Sequence, residues 1–429
     1  MKKANLLQVI CLIYGAACGG AFGMEGMVGT AGPGVAMVTL ILMPLLWSLP
    51  IALTCAELGA TFPVEGGFYE WGRMAFGDFV GFLAGWWTWI GSFATNAAFA
   101  VMFANYLGYW VHLTFWTHWL VTLLLIWSLV LLNHRGIRAV GDSSIGMTLA
   151  LMLPFVALTV LGLLHWHPGL FSPFVHPQKT PLTAFGESLV LGVWLFSGYD
   201  KITVSAEEIE NPSRTLPLAF MIAVPFVALS YILPAAAGLA GTHDWTLWRD
   251  NYFSTAANII GGPWLGAAMT AAALVSNALL LNTTMLAQSR LPMMMARDNF
   301  MPQSFKKLHP RYKTPTLSLF LGGVILSLLC IGTFTQLIVV YSVTQMLCYL
   351  LIYATYWRLR DSHRGITRPF QVPGGTKGFI LMAAPSICIA ILSIAKTEHL
   401  GLASLALATG PIVFFISRIL SRTSRQPQP

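Results

Sequence analysis

Residues 15–26 read Gly-Ala-Ala-Cys-Gly-Gly-Ala-Phe-Gly-Met-Glu-Gly, and this glycine-rich stretch interrupts an apolar segment. A second interruption, Trp-Leu-Phe-Ser-Gly-Tyr-Asp-Lys at residues 194–201, places an acid and a lysine after a glycine inside another apolar segment. Backbone that faces lipid cannot unwind, because no water replaces its lost hydrogen bonds. Paired interruptions therefore predict a cavity, and such pairs are typical of transporter binding sites.

The composition is that of an integral membrane protein. Of the 429 residues, 56% are hydrophobic and 9% are charged, with a mean hydropathy of +0.69, whereas a soluble domain has about a quarter charged residues. A helix needs about 20 apolar residues to cross a bilayer. We predict twelve spans, near residues 5–31, 35–60, 79–110, 119–132, 144–165, 184–206, 216–240, 264–289, 315–332, 336–357, 378–395 and 401–418. They form one transmembrane domain, 1–418, followed by a cytoplasmic tail, 419–429, that we expect to be disordered.

The net charge of +8 reflects membrane topology rather than nucleic-acid binding. If the N-terminus is cytoplasmic, all but three of the 24 Lys and Arg residues fall in cytoplasmic segments, the exceptions being Lys179, Arg249 and Lys396. This asymmetry obeys the positive-inside rule and predicts that both termini are cytoplasmic. The expected location is the plasma (inner) membrane.

The sequence has no pattern typical of an enzyme. The six cysteines lie in or at the ends of apolar spans, without a close metal-type pair and without a disulfide framework. No nucleophile–base pair, metal-ligand cluster or nucleotide-binding loop stands out. We therefore expect no enzymatic activity, no cofactor and no bound metal.

The first interruption suits backbone recognition of a ligand. Glycines adopt dihedral angles closed to other residues and let a ligand approach the main chain. A half-helix that restarts near Phe22 would direct amides with partial positive charge into the cavity, which suits a carboxylate. Close packing of small residues is the alternative interpretation, but it does not account for Glu25, whose burial in a bilayer is costly.

The second interruption places Asp200 deep in the membrane. The acidic run at 207–210 marks the cytoplasmic end of this helix, so Asp200 is about 10 Å deeper at 1.5 Å per residue. At that depth a carboxylate is a candidate proton carrier or amine ligand, and the alternative is an ion pair with Lys201. Two acids, Glu25 and Asp200, favour a ligand rich in amines, whereas protonation of one of them restores a site for a carboxylate.

Several motifs, in order along the chain, resemble those of the amino acid–polyamine–organocation (APC) superfamily. They are AELGATFP (56–63) with GGFY (66–69), AEEIENPSR (206–214), the Arg- and Pro-rich loop 289–315, and RPFQVPGG (368–375). The stretch 18–25, and WSLP (47–50) together with the tryptophans of 85–89, are similar to the polyamine-uptake and L-type amino acid transporter-like branch. That branch has an acid before the Asn-Ala pair of the third helix, where this chain has Thr95. Amino acids and polyamines are therefore both candidate substrates.

The resemblance implies the leucine-transporter fold, an all-α bundle in which helices 1–5 and 6–10 are inverted repeats and helices 1 and 6 are broken. The substrate would lie between the breaks, where Trp194 matches an occluding aromatic residue and Asp200 matches a coupling-linked acid of related exchangers. With Glu25 these are the candidate gating and coupling residues. The implied substrate-binding residues are Cys18, Gly19, Gly20, Ala21, Phe22, Gly23, Glu25, Asn96, Trp194, Ser197, Gly198, Tyr199 and Asp200, with Asn277 and Asn282 as further polar candidates.

The implied function is secondary active transport, by symport or exchange, of an amino acid or polyamine through alternating access, with H⁺ or Na⁺ as the candidate coupling ion. The alternative from another class is a non-transporting sensor or partner-dependent subunit on the same fold. Ion pairs of inner-loop residues would either close a cytoplasmic gate or merely order the loops. These residues are Glu57, Arg73, Glu207, Arg214, Arg290 and Arg297.

Overall fold

The computed structural model describes residues 3–166, 170–242, 244–249, 252–331, 334–396 and 400–423. Its regular structure in these ranges is helical, apart from one isolated bridge between Ala4 and Ile209. Ten helices within these ranges are long and apolar enough to cross a membrane, and two predicted spans coincide with the shorter apolar helices Leu6–Ala17 and Thr316–Leu329. The predicted all-α membrane architecture is confirmed.

The chain repeats one order of elements twice. Each half has a broken helix, a long helix, a short helix and then three further helices, and two helices follow the second half. This order is the one expected of two related five-helix repeats. The helices are α1 Leu6–Ala17, α2 Glu25–Ala31, α3 Pro33–Met43, α4 Leu49–Thr61, α5 Phe68–Phe76, α6 Asp78–Leu107, α7 Phe115–His134, α8 Ile137–Leu163, α9 Pro181–Leu195, α10 Pro212–Thr242, α11 Phe253–Gly261, α12 Pro263–Arg297, α13 Thr316–Leu329, α14 Phe334–Ser362, α15 Gly375–Lys396 and α16 Leu400–Thr423, with a π-helical turn at Pro44–Ser48 and a 3-10 segment at Tyr199–Glu208.

The first break lies between α1 and α2. Its glycines have positive φ angles, 61° at Gly19, 103° at Gly20 and 89° at Gly23, which other residues rarely adopt. The helix restarts at Glu25 and not near Phe22 as predicted. The reason is local, since the left-handed conformation at Gly23 cannot belong to a right-handed helix.

The second break follows α9, where Gly198 has a φ of 118°. The chain continues as a 3-10 segment, although the prediction assumed an α-helix through residue 206. A 3-10 helix rises about 2 Å per residue, so the predicted depth of Asp200, which assumed the α-helical rise, does not hold for this segment.

The outer helices carry the surface expected to face lipid. Leu153 of α8, Leu381 of α15 and Leu405 of α16 are among the most exposed leucines, whereas α12 packs centrally against α6 and α8. The last helix continues to Thr423, five residues beyond the predicted boundary at 418. The rest of the predicted tail, residues 424–429, lies outside the described residues.

Candidate substrate site between the two broken helices

The two breaks touch each other through their main chains. A Cβ atom added to Gly198 would lie 2.2 Å from the carbonyl oxygen of Ala16, at the end of α1. The ring of Trp194 packs in the same way on Gly23, where an added Cβ would lie 2.7 Å from the indole. Glycine is therefore required at each contact, and the close approach holds the breaks together.

A narrow cavity lies between the breaks. Of the predicted site residues, Cys18, Phe22, Trp194 and Ser197 line it. Thr95, which stands where the similar branch has an acid, also lines the cavity. The lining drawn from the described residues contains apolar, aromatic and hydroxyl groups and no carboxylate. Its other members are Ala16, Ala17, Phe99, Leu195, Tyr231, Leu280, Thr284 and Tyr341.

Trp194 spans the cavity from the second break to the first. Its indole Nε1 donates a hydrogen bond to the hydroxyl of Thr95 at 3.2 Å, and its ring lies 6.1 Å from that of Phe99, centroid to centroid. Phe22 closes the first break with an aromatic cluster, because its ring lies 4.9 Å from Phe155 and 5.1 Å from Tyr106. Trp194, which was predicted to occlude a ligand, thus lies on the cavity wall together with Phe22.

Glu25 lies behind the first break and not in the cavity lining. Its side chain is fully buried and accepts hydrogen bonds from the Gly23 amide at 2.6 Å and from the Tyr106 hydroxyl. The carboxylate therefore occupies the Gly23 amide, a donor of the kind that the sequence pattern assigned to a substrate carboxylate.

Asp200 is fully buried beside the second break, and it is also outside the cavity lining. Its Oδ1 accepts hydrogen bonds from the Tyr349 hydroxyl at 3.1 Å and from the Gln345 amide at 3.2 Å. Its Oδ2 lies 3.4 Å from the Lys201 ammonium. The ion pair weighed as the alternative role of Asp200 is thus formed. Tyr199 is likewise fully buried away from the cavity lining.

The predicted polar asparagines do not line the cavity, and two of them, Asn96 and Asn282, join helices. Asn96 donates to the Gln288 side-chain oxygen at 2.7 Å and accepts from the Thr284 hydroxyl, which itself lines the cavity. Asn277 donates to the Ala273 carbonyl in its own helix. Asn282 accepts a hydrogen bond of 2.8 Å from Asn133 and so connects α12 to α7.

The sequence reasoning missed the π-helical turn that supports the second break. Trp47 donates to the Ser197 hydroxyl at 3.0 Å, and Ser48 donates to the Phe196 carbonyl at 3.2 Å. The bond from Ser48 satisfies a backbone carbonyl at the break, as a break in a membrane requires. In the sequence, the prolines at 44 and 50 indicate this irregular turn, because prolines inside a helix disturb its hydrogen-bond ladder.

The chain matches a family of known transporters over almost its whole length. The model of the amino acid permease family matches residues 5–414. This chain belongs to the amino acid permease family, within the APC superfamily. The permease is 32% identical over 413 residues to polyamine transporter RMV1 of Arabidopsis thaliana, covering 95% of this chain and 83% of that protein. It is 29% identical to polyamine transporter PUT1 of Oryza sativa subsp. japonica, covering 97% and 79%.

The crystal structure of MhsT in complex with L-phenylalanine matches the permease with a TM-score of 0.67 at 15% identity, covering 91% of this chain and 97% of that one. This likeness confirms the leucine-transporter fold. The family and its relatives confirm the predicted APC membership. The protein is a membrane transporter and not an enzyme.

Ion pairs join the permease helices at the end that the sequence predicts to be cytoplasmic, with partners the sequence did not specify. Arg290 of α12 donates two hydrogen bonds to the Glu208 carboxylate, of 2.5 and 3.1 Å. Glu57 pairs with Arg368 at 3.1 Å and with Arg360 at 3.6 Å. Two further pairs join the end of α12 to the segment before α6. They are Arg297 with Glu65 at 2.5 Å, and Arg73 with Asp298 at 2.6 Å. In the described part of the chain, Glu207 and Arg214 form no ion pair, and Glu207 instead accepts from the Glu65 amide.

Proposed function

We propose that the permease is a secondary active transporter, a symporter or an exchanger, that moves a polyamine or an amino acid across the plasma membrane by alternating access. Both termini would be cytoplasmic, as the basic residues indicate. The observation that carries the proposal is the cavity between two broken helices that Trp194 spans. A cavity that one aromatic side chain can cover suits occlusion of a ligand better than a continuous pore.

Polyamines are the first candidate substrate class. RMV1 and PUT1, similar to this chain over nearly its whole length, are named as polyamine transporters. Two buried acids, Glu25 and Asp200, lie directly behind the two breaks. Acids buried at membrane depth are costly and mark functional sites, and a ligand that carries several ammonium groups offers them counter-charge.

Amino acids are the second candidate substrate class, because the two opposite charges at the second break cancel. Lys201 pairs with Asp200 at 3.4 Å, so this pair adds no net charge to the site. The cavity lining supplies hydroxyl groups from Thr95, Ser197 and Thr284, which hydrogen-bond to neutral and zwitterionic groups alike.

Within this mechanism the site residues divide into three groups. Those of the cavity wall contact the substrate, the break residues shape the backbone around it, and the buried polar residues hold the breaks in place. The wall residues are Cys18, Phe22, Trp194 and Ser197; the shaping residues are Gly19, Gly20, Ala21, Gly23 and Gly198; the supporting residues are Glu25, Asn96, Tyr199 and Asp200.

Glu25 is the leading candidate for coupling, with a proton as the ion. Its carboxylate accepts from the Gly23 amide and the Tyr106 hydroxyl. Protonation weakens both charge-assisted bonds, which loosens the backbone at Gly23 where the Trp194 ring packs. Asp200 is the second coupling candidate, and Na⁺ is the alternative ion.

The purified permease in proteoliposomes tests the function. We expect uptake of labelled putrescine or of at least one amino acid from a panel, driven by an imposed proton or sodium gradient or by exchange. Binding without uptake of either class would favour the sensor alternative, and neither binding nor uptake would contradict the substrate proposal.

Replacing Trp194 by alanine is expected to slow transport more than it weakens binding. The indole spans both breaks and has its own hydrogen bond to Thr95, so its loss leaves the cavity uncovered. If occlusion limits turnover, uptake falls by about tenfold, measured as initial uptake rate beside ligand affinity. Trp264→Ala, at an exposed position on α12, is the matched control. Unchanged flux in Trp194→Ala would exclude occlusion by this residue.

Replacing Arg290 by alanine separates gating from loop ordering. Its side chain is buried and holds Glu208, so a gating role predicts a shift towards the inward-open state. A cysteine at Thr283, which lines a cavity close to Lys201, should then react about tenfold faster with a charged thiol reagent from the cytoplasmic side. Arg138→Ala, which breaks an exposed pair with Asp142, is the control. Equal reaction rates would leave Arg290 with a loop-ordering role only.

A further inference from the structure

Lys201 is a buried cation to which the transport proposal assigns no role beyond balancing the charge of Asp200. Its side chain is 3% exposed, inside a membrane-spanning helix. An isolated ammonium at such a place is strongly unfavourable, so it needs partners that replace its hydration. The chemistry of those partners determines which ligand this site can bind.

Three kinds of cation ligand surround the Lys201 ammonium. Oδ2 of Asp200 supplies negative charge at 3.4 Å, and Oε1 of Gln345 accepts a hydrogen bond at 3.1 Å. The ring of Tyr341 lies 5.9 Å from the nitrogen and offers its π face. Carboxylate, amide oxygen and aromatic face together are the ligands that recognise a primary ammonium group.

The frame of this subsite also has hydrogen bonds that do not involve Lys201. Tyr341, Gln345 and Tyr349 are spaced by four residues along α14 and therefore share one face of that helix. The Asp200 carboxylate is held by Gln345 and by Tyr349, which also accepts a hydrogen bond from the Gly198 amide at 2.9 Å. The carboxylate thus has two hydrogen-bond donors that do not depend on the lysine.

The subsite adjoins both cavities. Lys201 lines a second small cavity together with Ser205 and Thr283, and Ala16 belongs to the walls of both cavities. Tyr341, the aromatic ligand of the ammonium, lines the central cavity. A ligand in the central cavity therefore lies next to the position that the lysine occupies.

We propose that Lys201 is a tethered ammonium that fills a primary-ammonium subsite formed by Asp200, Gln345 and Tyr341. Without the lysine, the subsite accepts an ammonium group from a ligand. The consequence for transport, which rests on the proposed function, is that Lys201 lowers by one the number of ammonium groups that the site accepts. Lys201 is thus a specificity-determining residue that favours a ligand with one amine over a diamine.

Chemical rescue of Lys201→Met tests the subsite without any transport. The variant keeps an apolar stem but leaves Asp200 without the ammonium, so we expect a lower melting temperature than in the unmodified protein. Methylammonium and putrescine at millimolar concentration should raise this melting temperature by about 2 °C or more, whereas tetramethylammonium, which has no N–H donor, should not. The unmodified protein should not respond to methylammonium.

The double variant Asp200→Asn with Lys201→Met is the matched control. It removes both charges, so it should fold and show no stabilisation by primary amines. Equal stabilisation of the single and double variants would overturn the proposal. If the single variant is recovered only when purified with methylammonium, that recovery supports the subsite; failure to recover it with amine, while the double variant folds, contradicts it.

Uptake by the same variants separates this proposal from the transport proposal. We expect Lys201→Met to raise the ratio of putrescine to amino-acid uptake by about tenfold, which corresponds to about 1.4 kcal/mol. Rescue by amines without uptake of either substrate would keep the subsite and remove the transport function. Uptake with an unchanged substrate ratio and no rescue by amines would keep the transport function and contradict the subsite.

Discussion

Gly198→Ala is expected to abolish transport, with uptake by the variant falling to the level of empty liposomes. The residue has a φ of 118°, which costs other residues about 1–3 kcal/mol. The larger cost is steric, because the new Cβ would lie 2.2 Å from the carbonyl oxygen of Ala16 and 2.8 Å from its carbon. Both obstacles are main-chain atoms at the end of α1, so no side chain can rotate away, and the two breaks must separate.

Uptake rate and melting temperature of the purified variant measure this effect together. Gly146→Ala is the matched control, because this glycine lies inside α8 and an added Cβ meets no atom within 4 Å. In a helix interior that change stabilises by up to about 1 kcal/mol, so the control should transport normally. Wild-type uptake by Gly198→Ala would show that the main-chain contact between the breaks is dispensable.

The breaks were predictable from the sequence because glycines and charged residues are unfavourable inside an apolar span unless the helix opens there. The sequence could not predict where a buried carboxylate finds its partner. Glu25 was expected to face the cavity, yet its carboxylate folds back on Gly23, two residues before it. That choice depends on the Tyr106 hydroxyl, which α6 brings from 81 residues further along the chain.

At the second break, too, the sequence could not predict the partners of the buried carboxylate. Asp200 and Lys201 are neighbours in sequence, so their spacing alone did not decide between a functional acid and an ion pair. In the structure the two residues form an ion pair, and Gln345 and Tyr349 of α14 also hold the acid beside the 3-10 segment after Gly198. Long-range partners of this kind leave no local pattern, although the four-residue spacing on α14 marked which face of that helix is polar.

Glu57→Gln is expected to give the largest loss of stability that a near-isosteric change can cause in this protein. Glu57 is fully buried in α4 and belongs to a network that joins α4 to the end of α14 and the loop before α15. Its carboxylate accepts hydrogen bonds from Arg368 at 3.1 Å, from the Tyr356 hydroxyl at 2.9 Å and from the Val372 amide at 2.7 Å. All three donors converge on one negative charge.

Glutamine keeps the shape of Glu57 and removes its charge, so the measured loss is electrostatic. The new NH₂ group would face donors that it cannot accept from, and Arg368, whose side chain is 7% exposed, would lose its counter-charge. Breaking a buried pair in this way costs about 3–5 kcal/mol, to be measured as a lower melting temperature and denaturant midpoint. Asp361→Asn, in an exposed pair with Arg364 near the same end of α14, should change neither value, since exposed pairs contribute little. A Glu57→Gln variant as stable as its parent would mean that water reaches Arg368, and that the α4–α14 junction is open to the cytoplasm rather than sealed.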